Sequence, residues 1–167
     1  DFFKSINAFN REVIDKEANR YFFIENPKKI TIEDVPYDSK QIEIELHPDD
    51  KKRGNRKIVV GKEFYIQDEL VKGKRYRLMY LFNFENSRFI SEEIDNSIKA
   101  QMIHWLPVCS DLIKVEILMD DNKTKKGFGE PDLKNVKVGE IVQFERFGFC
   151  RLDSIEENVY KFWFTHK

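Results

Sequence analysis

The sequence predicts a mainly β protein whose strands close into barrels or a sandwich, led by one short helix. Three observations carry this. The apolar period changes from helical spacing to two at Tyr21. From there on, apolar residues fall in many short segments separated by turn residues. The stretch Gly139 to Asp153 alternates, breaks at Phe147-Gly148 and alternates again, which is the pattern of a hairpin.

In chain order, Phe2, Phe3, Ile6, Phe9, Val13 and Ile14 stand at helical spacings, so an amphipathic helix is predicted from residue 2 to about 18. Strands are predicted at 21–24, 28–33, 41–46, 56–60, 62–67, 75–84, 97–105, 112–119, 138–146, 148–153 and 158–164. Asn26-Pro27, Val35-Pro36, His47-Pro48-Asp49-Asp50, Arg53-Gly54-Asn55 and Lys72-Gly73 supply the breaks, and the polar stretch Asp120 to Gly129 reads as a long loop. So many short strands imply closure, because open edges would pair with other chains.

At 167 residues, with 41% hydrophobic and 14% aromatic side chains, the chain has enough apolar surface for one ordinary domain or two small barrels sharing a core. The net charge of −1 removes the simplest case for a nucleic-acid partner, so any such contact must be local. Two acid-free basic runs exist. Lys51 to Lys57 reads as a solvated hairpin loop, and in Lys72 to Arg77 the alternation puts Arg75 and Arg77 on one strand face opposite Tyr76 and Leu78. Cys109 and Cys150 have no partner at ligand spacing, so neither a disulfide framework nor a zinc site is indicated. No apolar run approaches the ~18–20 residues of a membrane span and no leader is visible, so the cytosol is the expected compartment. A helical pattern already under way at Asp1 reads as part of something longer.

Catalytic signatures are missing. The chain has no phosphate-cradling Gly loop, no Gly-x-Ser-x-Gly elbow and no His-Glu-x-x-His. Its thirty acids sit mostly at alternating strand positions or in loops, as solvated faces do. His104, beside Trp105 in an apolar strand, reads as a hydrogen-bonded core residue, and Trp105 and Trp163 read as barrel core.

Four motifs in order, Asn19 to Pro27, Ile103-His104-Trp105, Gly127-Phe128-Gly129-Glu130-Pro131 and Gly139 to Asp153, together resemble the anticodon-binding region of glutamyl- and glutaminyl-tRNA synthetases, in its archaeal and eukaryotic glutamyl form. The resemblance implies two stacked β-barrels over 20–167, a second barrel of roughly 63–102 inserted in the first, and residues 1–19 as the end of a preceding helical segment. It implies a partner, the tRNA for glutamate, with glutamine tRNA as the alternative, and room for protein partners in a synthetase complex. Class I signatures of the His-Ile-Gly-His and Lys-Met-Ser-Lys-Ser type are absent, so ATP and magnesium are expected only in a catalytic portion outside these residues.

Residue by residue, the resemblance places Arg20 against the middle anticodon base, a uracil, and Gln143 beside it to complete that pocket. It places Arg77 near the first anticodon base, with Arg146 following Gln143 at the hairpin on the opposite strand face. Plainer readings stand beside these: Arg20 as a cation at a helix C-terminus, and Gln143 and Arg146 as outward strand residues. The short Gln67 to Lys72 and His104 to Glu130 connections favour the glutamyl over the glutaminyl form, and the β pattern argues against the helical bacterial region. A β-barrel protein-interaction module and a ribosomal-type RNA-binding barrel are the competing classes.

Overall fold

The computed structural model describes residues 2–167. Helix α1 (Phe2–Glu17) is followed by β1 (Asn19–Tyr21), β2 (Phe23–Glu25), β3 (Lys28–Thr31), β4 (Lys40–Glu45), β5 (Asn55–Val60), β6 (Glu63–Ile66), β7 (Arg75–Leu78) and β8 (Phe82–Glu85). Then come β9 (Arg88–Ser91), β10 (Gln101–Ile103), β11 (Leu106–Pro107), β12 (Ile113–Leu118), β13 (Thr124–Gly129), β14 (Ile141–Phe144), β15 (Gly148–Glu156) and β16 (Val159–His166). Single turns of 3₁₀ helix lie at Lys51–Arg53 and Pro131–Asn135. No helix among the described residues is long and apolar enough to cross a membrane.

The largest sheet runs β1-β14-β15-β16-β12-β13-β2. Its two ends are consecutive in the chain, separated only by Phe22, so the sheet returns on itself as a nearly closed barrel. At that junction Glu130 supplies the ladder's missing partner, since its Oε2 accepts the Phe22 N–H at 2.7 Å. Tyr21, Phe22, Phe23 and Ile24 are all buried and alternate between two cores. Tyr21 and Phe23 join Val115, Ile117, Val142, Phe144, Leu152 and Phe162 in the first. Phe22 and Ile24 join Ile58, Phe64, Leu78, Phe82, Phe84 and Trp105 in the second. The second core is wrapped by three smaller sheets, ordered β10-β7-β8-β9, β11-β6-β3 and β4-β5. It therefore gathers residues from Phe22 to Leu106, and the four-stranded sheet over 75–103 is one part of its wall.

The last carbonyls of α1 are satisfied by one local bond and by tertiary partners. Ala18 N–H bonds Ile14 O, His47 Nε2 bonds Asp15 O, and the Arg53 guanidinium bonds both Lys16 O and Glu17 O, the latter at 2.9 Å. The helix's apolar residues Phe2, Ile6, Phe9 and Val13 are exposed and Ile14 is half-buried. Asp1, the start of the expected helical segment, and the side chain of Phe3 lie outside the described residues.

Three element predictions are corrected. The stretch 75–84 is two antiparallel strands, β7 and β8, reversing at Met79–Leu81 with Tyr80 at φ 67°. Of the strand predicted at 97–105 only 101–103 forms, followed by the two-residue β11. The predicted loop Asp120 to Gly129 instead contributes β13, which pairs with β12 and β2 and closes the barrel. Closure there needs Gly127, because a Cβ would stand 1.8 Å from the Ile24 carbonyl oxygen.

Candidate nucleic-acid interface

β1 and β14 run parallel in the register Asn19 with Val142, Arg20 with Gln143, Tyr21 with Phe144. Tyr21, Val142 and Phe144 are buried in the barrel interior, while Arg20 and Gln143 are half-buried. Residues paired in register share a face, so Arg20 and Gln143 stand side by side on the outer wall. Among the described residues, five buried side-chain polar atoms lack a hydrogen-bond partner, and two of them are Arg20 Nε and Gln143 Oε1. A third, Asp68 Oδ2, lies 4.0 Å from Arg146 Nη1. Orphaned polar atoms are rare in folded proteins because each costs ~1–3 kcal/mol. Arg20 Nε and Gln143 Oε1 are thus a donor and an acceptor left without partners at one register position of neighbouring strands.

Arg20 opens onto a cleft of about 240 Å³, whose other lining residues are Glu43, Ile44, Glu45, Pro48, Tyr80 and Glu145. Small-molecule clefts start at ~300 Å³, so this one suits a fragment the size of a single base. Arg20 is not the cation of the helix C-terminus, because Arg53 takes that role. Its Nη2 lies 3.6 Å from Asp15 Oδ1, a distant pair that leaves Nε–H free to donate.

The cleft wall rests on a buried ionic network. Arg56 is 0% exposed; its Nε lies 2.9 Å from Glu130 Oε1, its Nη2 bonds Glu145 Oε2 at 3.1 Å, and its Nη1 bonds Glu45 O at 2.8 Å. Glu145 accepts in turn from the Tyr80 hydroxyl at 2.7 Å. Burial raises the Glu130 carboxyl to about 7, against the pull of Arg56 and the Phe22 N–H. Burial and the adjacent Glu145 hold the Tyr80 phenol at about 12, so it remains a hydrogen-bond donor. The run Lys51 to Lys57, read from sequence as a solvated loop, is thus corrected at its two arginines: Arg53 caps α1 and Arg56 is core, while Lys51, Lys52 and Lys57 are exposed.

Arg146 sits in the β14–β15 turn at φ 63°. Its Nη1 lies 3.4 Å from His104 Nδ1. Desolvation first, and then the Arg146 charge, depress His104 to about 4, so the ring is neutral and its Nδ1 accepts from the guanidinium. Arg77 is placed otherwise than its alternation suggests. Arg75 is exposed, but Arg77 is only 8% exposed, and its Nη1 donates to Asn83 Oδ1 at 3.2 Å and Glu92 O at 3.0 Å. Arg20 therefore stands beside Gln143 and itself opens onto the cleft, Arg146 with His104 and Asp68 forms a second group, and Arg77 is an internal support. Tyr80, Glu145 and Arg56 carried no distinguishing signal in the sequence. Among the described residues no cluster of three or more His, Cys, Asp or Glu is arranged to hold a metal.

Two β-cores sharing residues 21–24, with Arg20 lining a small cleft on the outer wall, define a β-barrel module. Residues 18–104 match the family described as tRNA synthetases class I (E and Q), anti-codon binding domain, and residues 102–153 match a second family of the same description. The chain belongs to this anticodon-binding family. Among curated relatives, it is 41% identical to the glutamate–tRNA ligase of Methanococcus maripaludis strain C5 and 39% identical to that of Methanocaldococcus jannaschii, each over 98% of this chain and 31% of the relative. It is 42% identical to that of Methanobrevibacter smithii, over 98% of this chain and 30% of the relative. The chain thus spans just under a third of the length of the relatives it matches.

Proposed function

We propose that this chain is the recognition portion of a glutamate–tRNA ligase, a two-barrel region over 20–167 that reads the anticodon loop of glutamate tRNA, in the cytoplasm, while ATP- and magnesium-dependent chemistry lies outside these residues. The observation that carries the reading is the register-paired donor and acceptor, Arg20 Nε and Gln143 Oε1, both buried and without partners. Sequence-specific RNA recognition works on bases splayed from a loop and bonded along their edges. Uracil offers that edge as carbonyl oxygens flanking a ring N–H, so Arg20 Nε–H donates to a carbonyl and Gln143 Oε1 accepts from the ring nitrogen. Cytosine turns an unprotonated nitrogen toward the same oxygen, setting acceptor against acceptor.

Arg146, near His104 and Asp68 at the hairpin tip, adds positive charge to the same end of the strand pair that carries Gln143. Arg77 acts through the backbone: by holding Glu92 O and Glu93 O it fixes the segment after β9, which we assign to the side of the first anticodon base.

The test is titration of transcripts carrying uracil or cytosine at the middle anticodon position. Arg20→Ala and Gln143→Ala are each expected to weaken the uracil transcript by ~1–3 kcal/mol and to shrink its preference over cytosine. Lys52→Ala, at an exposed position, is expected to affect both transcripts alike. An unchanged uracil-over-cytosine ratio in both pocket variants refutes the assignment.

A further inference from the structure

Tyr80 is an uneconomical choice for its backbone position. A bulky side chain rarely adopts the left-handed backbone region, yet Tyr80 has φ 67° where Gly or Asn would cost nothing. The residue is 50% exposed, so apolar burial does not account for it. The turn that carries it is nevertheless fixed on every side. Met79 N–H bonds Ile103 O at 3.0 Å, Met79 O accepts from Trp105 Nε1 at 2.9 Å, and Leu81 N–H bonds Leu78 O at 2.9 Å. The far end of the ring is tied by the 2.7 Å bond from its hydroxyl to Glu145, itself held by the buried Arg56. One side of the ring leans on Phe22, with centroids 6.1 Å apart. A half-exposed aromatic that is immobilised at both ends, on a strained turn, at the mouth of the cleft that Arg20 lines, is a rigid flat surface left open to something flat.

We propose that Tyr80 is a stacking platform: its open face receives the same unpaired base whose edge is read by Arg20 and Gln143. This rests on the anticodon-loop reading above and adds to it a residue that grips the base without identifying it. Every base has a π-face, so stacking contributes affinity and tolerates sequence. Edge hydrogen bonds divide uracil from cytosine; the platform does not. The Glu145 tether spares the ring the entropy of being ordered at binding, which is how a pre-organised aromatic gains over a mobile one.

The division of labour makes the test specific. Wild type, Tyr80→Leu and Tyr80→Phe are each titrated with three transcripts that differ only at the middle anticodon position, carrying uracil, cytosine or an abasic sugar. Tyr80→Leu is expected to weaken the uracil and cytosine transcripts by the same factor, roughly 5- to 150-fold. It should leave the abasic transcript unchanged and the uracil-over-cytosine ratio intact. Tyr80→Phe, which keeps the ring, retains most of the binding to both base-bearing transcripts. The platform is overturned if Tyr80→Leu weakens the abasic transcript as much as the others, or changes none of them, or if Tyr80→Phe is as defective as Tyr80→Leu. Failure of the edge-reading pocket has a different signature, a uracil-over-cytosine ratio that Arg20→Ala does not move, and either result stands without the other.

Discussion

Replacing Arg56 with Met keeps a long flexible side chain in the core and removes one charge from a site where three charged groups meet. Arg56 and Glu130 are both 0% exposed and Glu145 is nearly so, which means no water compensates the carboxylates when the guanidinium goes. Breaking a buried pair by removing one partner costs ~3–5 kcal/mol. For a domain of this size 1 kcal/mol moves the melting temperature by ~2–4 °C, so Arg56→Met should melt about 6 to 20 °C below wild type at pH 7. The deficit must also depend on pH, in a definite direction. With the guanidinium gone, Glu130 loses the charge that opposes its burial, and its folded-state value rises further above the unfolded one. A group raised in this way stabilises below its unfolded value and loses that contribution as pH rises. Thermal melts of wild type and Arg56→Met at pH 5 and pH 8 should therefore diverge more at pH 8. A variant melting within 2 °C of wild type at pH 7, or a deficit that grows toward acid, would refute the view that Arg56 neutralises two buried carboxylates.

Two further outcomes follow from the same geometry. Gly127→Ala drives a methyl group into the Ile24 carbonyl across the β13–β2 seam, and should cost about 3 kcal/mol or more in urea unfolding; a loss under 1 kcal/mol would mean the seam has slack. His104, depressed to about 4 by burial and Arg146, should stay neutral through pH 5 in an NMR titration of its ring protons, and a midpoint at or above 6 would contradict its placement. Because the unfolded chain takes up that proton near 6.5, the contribution of His104 to stability is present above that value and is lost as pH falls toward 4.

What could be read from the sequence was whatever local pattern dictates. Tyr21 to Ile24 announced a strand because all four residues are apolar, and the structure adds that their two faces serve different cores. Thr124 to Gly129 gave no such signal. Its strand is made by backbone closure against β12 and β2, and its Lys125 and Lys126 pair with Glu25 and Glu116. The reversal at Tyr80 was hidden for the opposite reason, since no Gly, Pro or Asn marks it and the bonds that fix it come from Ile103 and Trp105. The basic run showed the limit of composition. Lys52 and Arg56 look alike in sequence, but Arg56 meets carboxylates 74 and 89 residues away, a distance over which no periodicity carries information.

The segment through Phe22 has a bearing on how the molecule can come apart. A wall common to two rooms cannot be taken down for one of them alone, and residues 21–24 are such a wall. Opening either core exposes side chains on only one face of this segment, yet strips its backbone of bonds that hold both. The lowest-energy excursions should therefore be sought at the rims, in the turns and the far hairpins, and not at the division between the barrels where a two-part protein would ordinarily hinge. Arg20 is the residue immediately before this wall. If Arg20 reads a base as proposed, it does so from the residue next to the segment that both cores hold in place.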